Sequence, residues 1–279
     1  MLKSGLALCL LLLISALGGE IWAEDLPRGE TVRISGSTTL LPITQKAAEE
    51  FLKLHPQEDL TVSGTGSGEG LKSLIDRVVD LAGSSRDLKA AESRRAKEHA
   101  VMLVRHTVAR DGLAVIVHPQ NPVGKLTLEQ LKGIYLGTIK NWSEVGGDDR
   151  VIVPINRDSS SGTFEMWIEI VLKGQRHRPD AQVQSSSGSV AYAVAGNRYA
   201  MGYVGLGFIG SGVKVLAIDG VKASYEAVLR GTYPIARDLY IFSRADSSAG
   251  AGRFLQFLLG PQGRALLGAE GFVPPAGAL

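Results

Sequence analysis

Three short segments of this chain repeat one pattern. An apolar, strand-like run leads into a cluster of Gly, Ser and Thr, and the cluster opens a run with helical periodicity. The segments are VRISGSTTLLP (Val32–Pro42), TVSGTGSGEGL (Thr61–Leu71) and VPINRDSSSGTF (Val153–Phe164). Strands that alternate with helices through short small-residue turns specify an α/β fold. The same alternation runs along the whole chain. TVRIS, LTVSG, VDLAGSS, GLAVIVH, VIVPIN, AMGYVG, VKVLAI and DLYIFS read as strands. Ile43–His55, Leu71–Val79 and Thr127–Gly137 read as helices, with Pro42 suited to a first helical turn. Ala91–Ala100 is charged on all sides and reads as a solvated helix.

A helix N-terminus carries unpaired N–H groups and a partial positive charge, so it attracts anions. Three such ends, all bearing hydroxyls, suit a small tetrahedral oxyanion. A nucleotide fits less well. Gly64–Gly70 departs from the dinucleotide fingerprint because Glu69 stands where its last glycine belongs, and no GxxxxGK[ST] occurs. Arg157 follows the apolar run Val151–Ile155 and precedes a helix start. At that place a side chain reaches over the carboxyl edge of a sheet, and a planar guanidinium can give an oxyanion two parallel hydrogen bonds. The competing reading is an exposed arginine paired with Asp158. Gln184–Ala195 adds another Ser-rich helix start, either a structural turn or a further contact.

The chain has 279 residues, enough for two domains, and its net charge of +2 gives no argument for nucleic acid or membrane as a partner. The five histidines show neither HxxxH nor HxH spacing, so no metal and no cofactor is expected. No GxSxG elbow places a serine beside a base, so no catalytic residue is assigned and the chain does not read as an enzyme. An esterase acting through a loop serine such as Ser161 is the competing class. Trp142, Trp167, Tyr192, Tyr199 and Tyr203 read as core or surface packing, and Gly174–Pro179 as a solvated basic loop or a partner contact.

Lys3 and the apolar run Leu6–Leu17 read as a signal peptide over residues 1–23, which predicts export to the periplasm. The rival is an uncleaved anchor. Cys9 lies within this segment with Leu8 before it, so lipidation is not expected and the exported protein carries no thiol.

GSTTL, RDSSSGT, Leu126–Gly147, MGYVGLGFI (Met201–Ile209) and Phe257–Pro274 together resemble the periplasmic phosphate-binding proteins, receptors of ABC phosphate importers. The resemblance implies a two-lobed type II periplasmic binding protein fold, two three-layer α/β lobes joined by two hinge strands. Lobe one would comprise 24–111 plus 240–279 and lobe two 112–239, with Gly112–His118 and Leu239–Ala245 as the crossings. It implies inorganic phosphate as ligand, a membrane permease as partner, a monomer, and an oxyanion held without metal. Carried over by motif, phosphate ligands would be Thr38 through its hydroxyl, Thr39 through its N–H, Ser67, Ser85, Arg157, Ser161, Gly162 and Thr163. Ser37, Arg86 and Asp158 would support them. The sequence departs from the family pattern at Ser85, where an aspartate usually accepts the phosphate proton, and at Ser159, where an aspartate usually braces the arginine. Phosphate over sulfate selectivity is thereby open, and a receptor for sulfate or molybdate, or a sensor or surface protein, is the alternative.

Overall fold

The structure, a computed structural model, describes residues 31–275. The signal segment read over residues 1–23 lies outside them. The first lobe starts with β1 (Thr31–Gly36), α1 (Leu41–Leu54), β2 (Asp59–Val62), α2 (Ser67–Ile75), β3 (Leu81–Ser84) and α3 (Ala90–Glu98). β1 lies between β2 and β3 and runs parallel to both, so the turns that follow these strands share one sheet edge. The chain then enters β4 (Leu103–Val117), a single strand of 15 residues.

The second lobe follows with β5 (Lys125–Leu126), α4 (Leu128–Leu136), a 3₁₀ turn at Trp142–Val145, β6 (Val153–Arg157), α5 (Gly162–Ile170), β7 (Gln182–Gln184), α6 (Ser187–Ala195) and β8 (Ala200–Gly205). After a second 3₁₀ turn, Leu206–Phe208, come β9 (Lys214–Val215), β10 (Ala217–Ile218), β11 (Val221–Lys222) and α7 (Tyr225–Leu229). β12 (Ala236–Arg244) returns to the first lobe, which α8 (Ala249–Leu259) and α9 (Pro261–Ala269) complete.

β4 and β12 hold the lobes together. The N-terminal part of β4 pairs antiparallel with β12, and Leu113–Val117 pair instead with β8. The resulting sheet runs β2-β1-β3-β12-β4-β8-β6-β7. The two largest hydrophobic cores lie one in each lobe. One gathers Val32, Ile34, Phe51, Leu81, Leu239 and Phe254, and the other gathers Val115, Ile134, Trp167, Val190, Tyr203 and Ile235. Trp167 stacks on Tyr203 with ring centroids 3.9 Å apart, a packing role for both.

Several local expectations shift. The helix expected from Leu71 starts at Ser67, because Gly66 takes a φ of +93° that turns β2 into it, and it ends before Arg77 at φ 60°. VKVLAI divides into β9 on β4 and β10 on β5, with Leu216 fully buried between them. Two sheets thus share one apolar run. The basic loop Gly174–Pro179 is not wholly solvated. Arg178 is 7% exposed and forms a two-pronged ion pair with Asp180, Nε–Oδ1 2.6 Å and Nη2–Oδ2 2.6 Å. Tyr192, by contrast, is 83% exposed.

Candidate anion-binding site

Five polar turns meet where the lobes face each other, and glycines let them approach. At Gly36 (φ +127°) a Cβ would stand 2.2 Å from Gly83 O, so only glycine allows β1 and β3 to end side by side. At Gly162 a Cβ would stand 2.4 Å from Ser67 Oγ, so the start of α5 on lobe two rests directly on the start of α2 on lobe one. Gly68 N–H donates to Ser160 O across the same junction at 3.0 Å.

Helix starts are built by short polar residues, as their preference for caps requires. Ser161 caps α5 by accepting from Phe164 N–H at 3.2 Å. Ser186 caps α6 by accepting from Ser189 N–H at 3.0 Å, which presents Ser187 at the first helical position. Pro42 sits in the first turn of α1, where its missing N–H costs nothing.

The hydroxyls form two groups. In lobe one, Ser37 Oγ lies 2.7 Å from Ser85 Oγ, and Ser67 Oγ lies 3.3 Å from Ser85 Oγ while accepting from Ser85 N–H at 3.1 Å. Across the junction, Thr39 Oγ1 lies 2.9 Å from Thr163 Oγ1 and 3.5 Å from Ser187 Oγ, and Thr38 Oγ1 accepts from Ser187 N–H at 3.3 Å. Thr39 N–H donates to Ser37 Oγ at 3.2 Å and joins the two groups. All these residues are at most 5% exposed.

Arg157 ends β6 and is 2% exposed, which removes the reading of a surface arginine. Its Nε donates to Gln184 O at 3.0 Å, Nη2 to Ser185 O at 3.1 Å, and Nη1 to Ser187 Oγ at 3.3 Å. Asp158 Oδ2 lies 3.4 Å from Nη2. Burial pulls the guanidinium below its ordinary pKa, and the charge of Asp158 opposes that shift. Two backbone carbonyls therefore brace this arginine together with Asp158, whose other oxygen accepts from Ser160 N–H at 2.9 Å. Arg86 turns away from the hydroxyls. Its Nη1 and Nη2 donate to Glu92 at 2.8 and 2.7 Å, so α3 is not a purely solvated helix: Glu92 anchors the GSSR loop.

Two charged residues at this place escaped the sequence reading. Arg237 on β12 and Asp111 on β4 are directly opposed in the antiparallel register and are 4% and 0% exposed. Arg237 Nη1 donates to Thr163 Oγ1 at 2.9 Å and Nη2 to Thr39 Oγ1 at 3.1 Å. A signal existed in the sequence. The tripeptide Ala-Arg-Asp interrupts each of two apolar strands, at 109–111 and 236–238, and charges inside such runs stay buried only when paired. Among the described residues no group of three or more His, Cys, Asp or Glu could hold a metal ion.

Comparison with known proteins agrees with this fold. The family model described as the PBP superfamily domain matches residues 23–262. The phosphate-binding protein PstS of Bacillus subtilis (strain 168) is 31% identical over 258 residues, covering 90% of this chain and 84% of that protein. PstS of Borreliella burgdorferi is 29% identical over 254 residues, covering 87% and 89%. A Clostridium perfringens structure with bound phosphate superposes with a TM-score of 0.83 at 33% identity, covering 88% of this chain and 99% of the other. An ABC-type phosphate transport receptor from Vibrio cholerae gives 0.71 at 31% identity, covering 88% and 100%. By the family model that spans most of its length and its identity to these relatives, the two-lobed chain belongs to the PBP superfamily and, within it, to the PstS family.

Proposed function

We propose that this protein is an extracytoplasmic receptor that binds inorganic phosphate between its lobes and delivers it to the permease of an ABC importer. The observation that carries the reading is the meeting of Arg157 with hydroxyl turns from both lobes, Ser187 Oγ lying within 3.3 Å of Arg157 Nη1 and 3.5 Å of Thr39 Oγ1. The names of the relatives and the bound phosphate of the Clostridium perfringens structure support phosphate as the ligand.

The phosphate-binding set in this reading is Thr38, Thr39, Ser67, Ser85, Arg157, Ser161, Gly162 and Thr163, with Ser37 and Asp158 holding them. Arg86 acts outside the anion's contacts. The lobes are 24–111 plus 240–279 and 112–239. Because the donors come from both, the anion favours the closed form by its differential affinity for it. Micromolar binding needs about −8 kcal/mol, which several charge-assisted hydrogen bonds at roughly 1.5–3 kcal/mol each supply after the cost of closure. The protein works as a monomer in the periplasm, with no nucleic-acid partner and no chemical step. Among the described residues no helix is long and apolar enough to cross a membrane.

One observation favours a second reading. Ser85 is ringed by hydroxyls, Ser37 at 2.7 Å and Ser67 at 3.3 Å, where a carboxylate would repel a fully ionised anion. A sulfate receptor is therefore the alternative. Calorimetric titration of the mature chain with phosphate and with sulfate separates the two. Tight phosphate binding with little response to sulfate is expected, and no heat with either anion rejects both readings.

A further inference from the structure

Arg237 and Asp111 stand opposite each other on the strands that pass between the lobes, outside the anion-binding loops. Asp111 Oδ2 accepts from Arg237 Nε at 3.3 Å and Nη2 at 3.1 Å, while Oδ1 accepts from Leu206 N–H at 2.9 Å. The guanidinium is thus held from behind. Its free edge reaches one hydroxyl on each lobe, Thr163 through Nη1 and Thr39 through Nη2.

A guanidinium can only donate hydrogen bonds. Both threonine oxygens therefore accept from Arg237, and Ser187 Oγ likewise accepts from Arg157. Thr38, Ser187, Thr39 and Thr163 form a string whose three internal contacts, at 3.4, 3.5 and 2.9 Å, can use three of its four O–H protons. At least one proton is left to point outward. Arg157 donates into the string at Ser187 and Arg237 at Thr39 and Thr163, and no carboxylate belongs to it. Such a row donates to an unprotonated oxyanion oxygen but offers little to a P–OH proton, since the two arginines, the Ser187 N–H and the internal contacts fill all but one of its hydroxyl lone pairs.

We propose that Arg237, clamped by Asp111, is a positioning residue that fills acceptor lone pairs of the Thr39 and Thr163 hydroxyls, so that the string faces its ligand as a donor, and makes the site select the dianionic form of its oxyanion. The proposal rests on the receptor reading. It directs the remaining protonated oxygen of monohydrogen phosphate to the Ser37–Ser85–Ser67 group, whose hydroxyls can also accept.

The test is the pH profile of inorganic phosphate binding, measured by calorimetry across the second ionisation of phosphate. Arg237 faces Asp111 on β4, Arg157 on β6 and Tyr203 on β8, and it lines a 390 Å³ cleft with Arg86, Asp87 and Lys89 of the loop after β3, Glu165 and Glu169 of α5, and its neighbours Asp238 and Tyr240. No histidine is among these groups, so the profile near neutral pH reports the proton on the ligand. Arg237→Gln alone would leave Asp111 buried without its partner. The working variant is therefore Asp111→Asn with Arg237→Gln, which keeps the shape and removes both charges. Wild-type affinity is expected to rise by about tenfold as the dianion takes over, and the paired variant to bind about tenfold more weakly with a flattened profile. Thr39→Val is expected to weaken the wild type but to change the paired variant by less than about twofold.

Arg237→Lys keeps the charge but has one nitrogen where two reach the two threonines, so an intermediate slope is expected. This arm holds if the paired variant does not fold. A wild-type slope in Arg237→Lys or in the folded paired variant overturns the proposal, as does an equal effect of Thr39→Val in both backgrounds. A wild-type chain that binds no phosphate overturns the receptor reading itself.

Discussion

Glu165 on α5 reaches across the lobe junction to Arg86, with Oε2 2.6 Å from Nε. The pair is close without the alignment of a hydrogen bond, since Arg86 gives both Nη groups to Glu92. Lys89 Nζ, also from lobe one, lies 2.7 Å from the same oxygen. Because this contact exists only when the lobes are together, it adds to the closed state. Glu165→Gln is expected to weaken anion binding by about 1 kcal/mol, since Arg86 keeps Glu92 and stays compensated. The loss should shrink at high salt. Titrations at low and high ionic strength check it, and equal affinity of variant and wild type at low salt would remove the contact from the closing mechanism.

Arg157→Ala is expected to cost about 3 kcal/mol of phosphate affinity, the scale of losing a buried, charged hydrogen-bond partner. Arg157→Lys should fall between, because one ammonium cannot reproduce the planar fork that spans Gln184 O, Ser185 O and Ser187 Oγ. Calorimetry orders the three proteins, and unchanged affinity in Arg157→Ala would take this residue out of the site.

Ser85→Asp should raise the preference for phosphate over sulfate. A carboxylate at this position accepts a P–OH proton and repels an anion that has none. Ser37, 2.7 Å away, can donate to the new group. Competition between the two anions measures the ratio. If the ratio does not move, proton acceptance lies elsewhere.

Asp111→Ala leaves Arg237 buried with its charge uncompensated, an effect of about 3–5 kcal/mol on folding stability. Urea unfolding followed by circular dichroism reads it. A loss under about 1 kcal/mol would mean that water reaches Arg237.

Asp180 has its carboxyl pulled down to about 2, chiefly by the hydrogen bonds from Arg178. A depressed carboxylate adds stability above its unfolded value near 4 and loses it as pH falls through the folded value. The contribution should therefore vanish between about pH 4 and pH 2. Asp180→Asn is expected to flatten acid unfolding in that window and to match the wild type below it. An unaltered acid profile in Asp180→Asn would show that the pair does not couple to folding.

The α/β class and the polar turns were legible because they are local. β-branched runs, helical periodicity and Gly-Ser-Thr junctions each act over a few residues, so TVRISGSTTL and INRDSSSGTF announce strand, turn and helix without help from the rest of the chain. What they cannot announce is pairing across distance. Arg237 and Asp111 lie 126 residues apart and meet only because β12 returns antiparallel to β4. The basic character of GQRHRP suggested solvent, yet Arg178 is buried, since its N–H donates to Tyr135 O at 2.8 Å and draws it in. Residue types and spacing alone determined that this chain makes short strands that turn into anion-attracting helix starts, because backbone propensity and capping act within a turn. Tertiary structure decided which hydroxyls share a proton network and which arginine faces them. Those relations depend on strand order and lobe approach, and no local pattern encodes either.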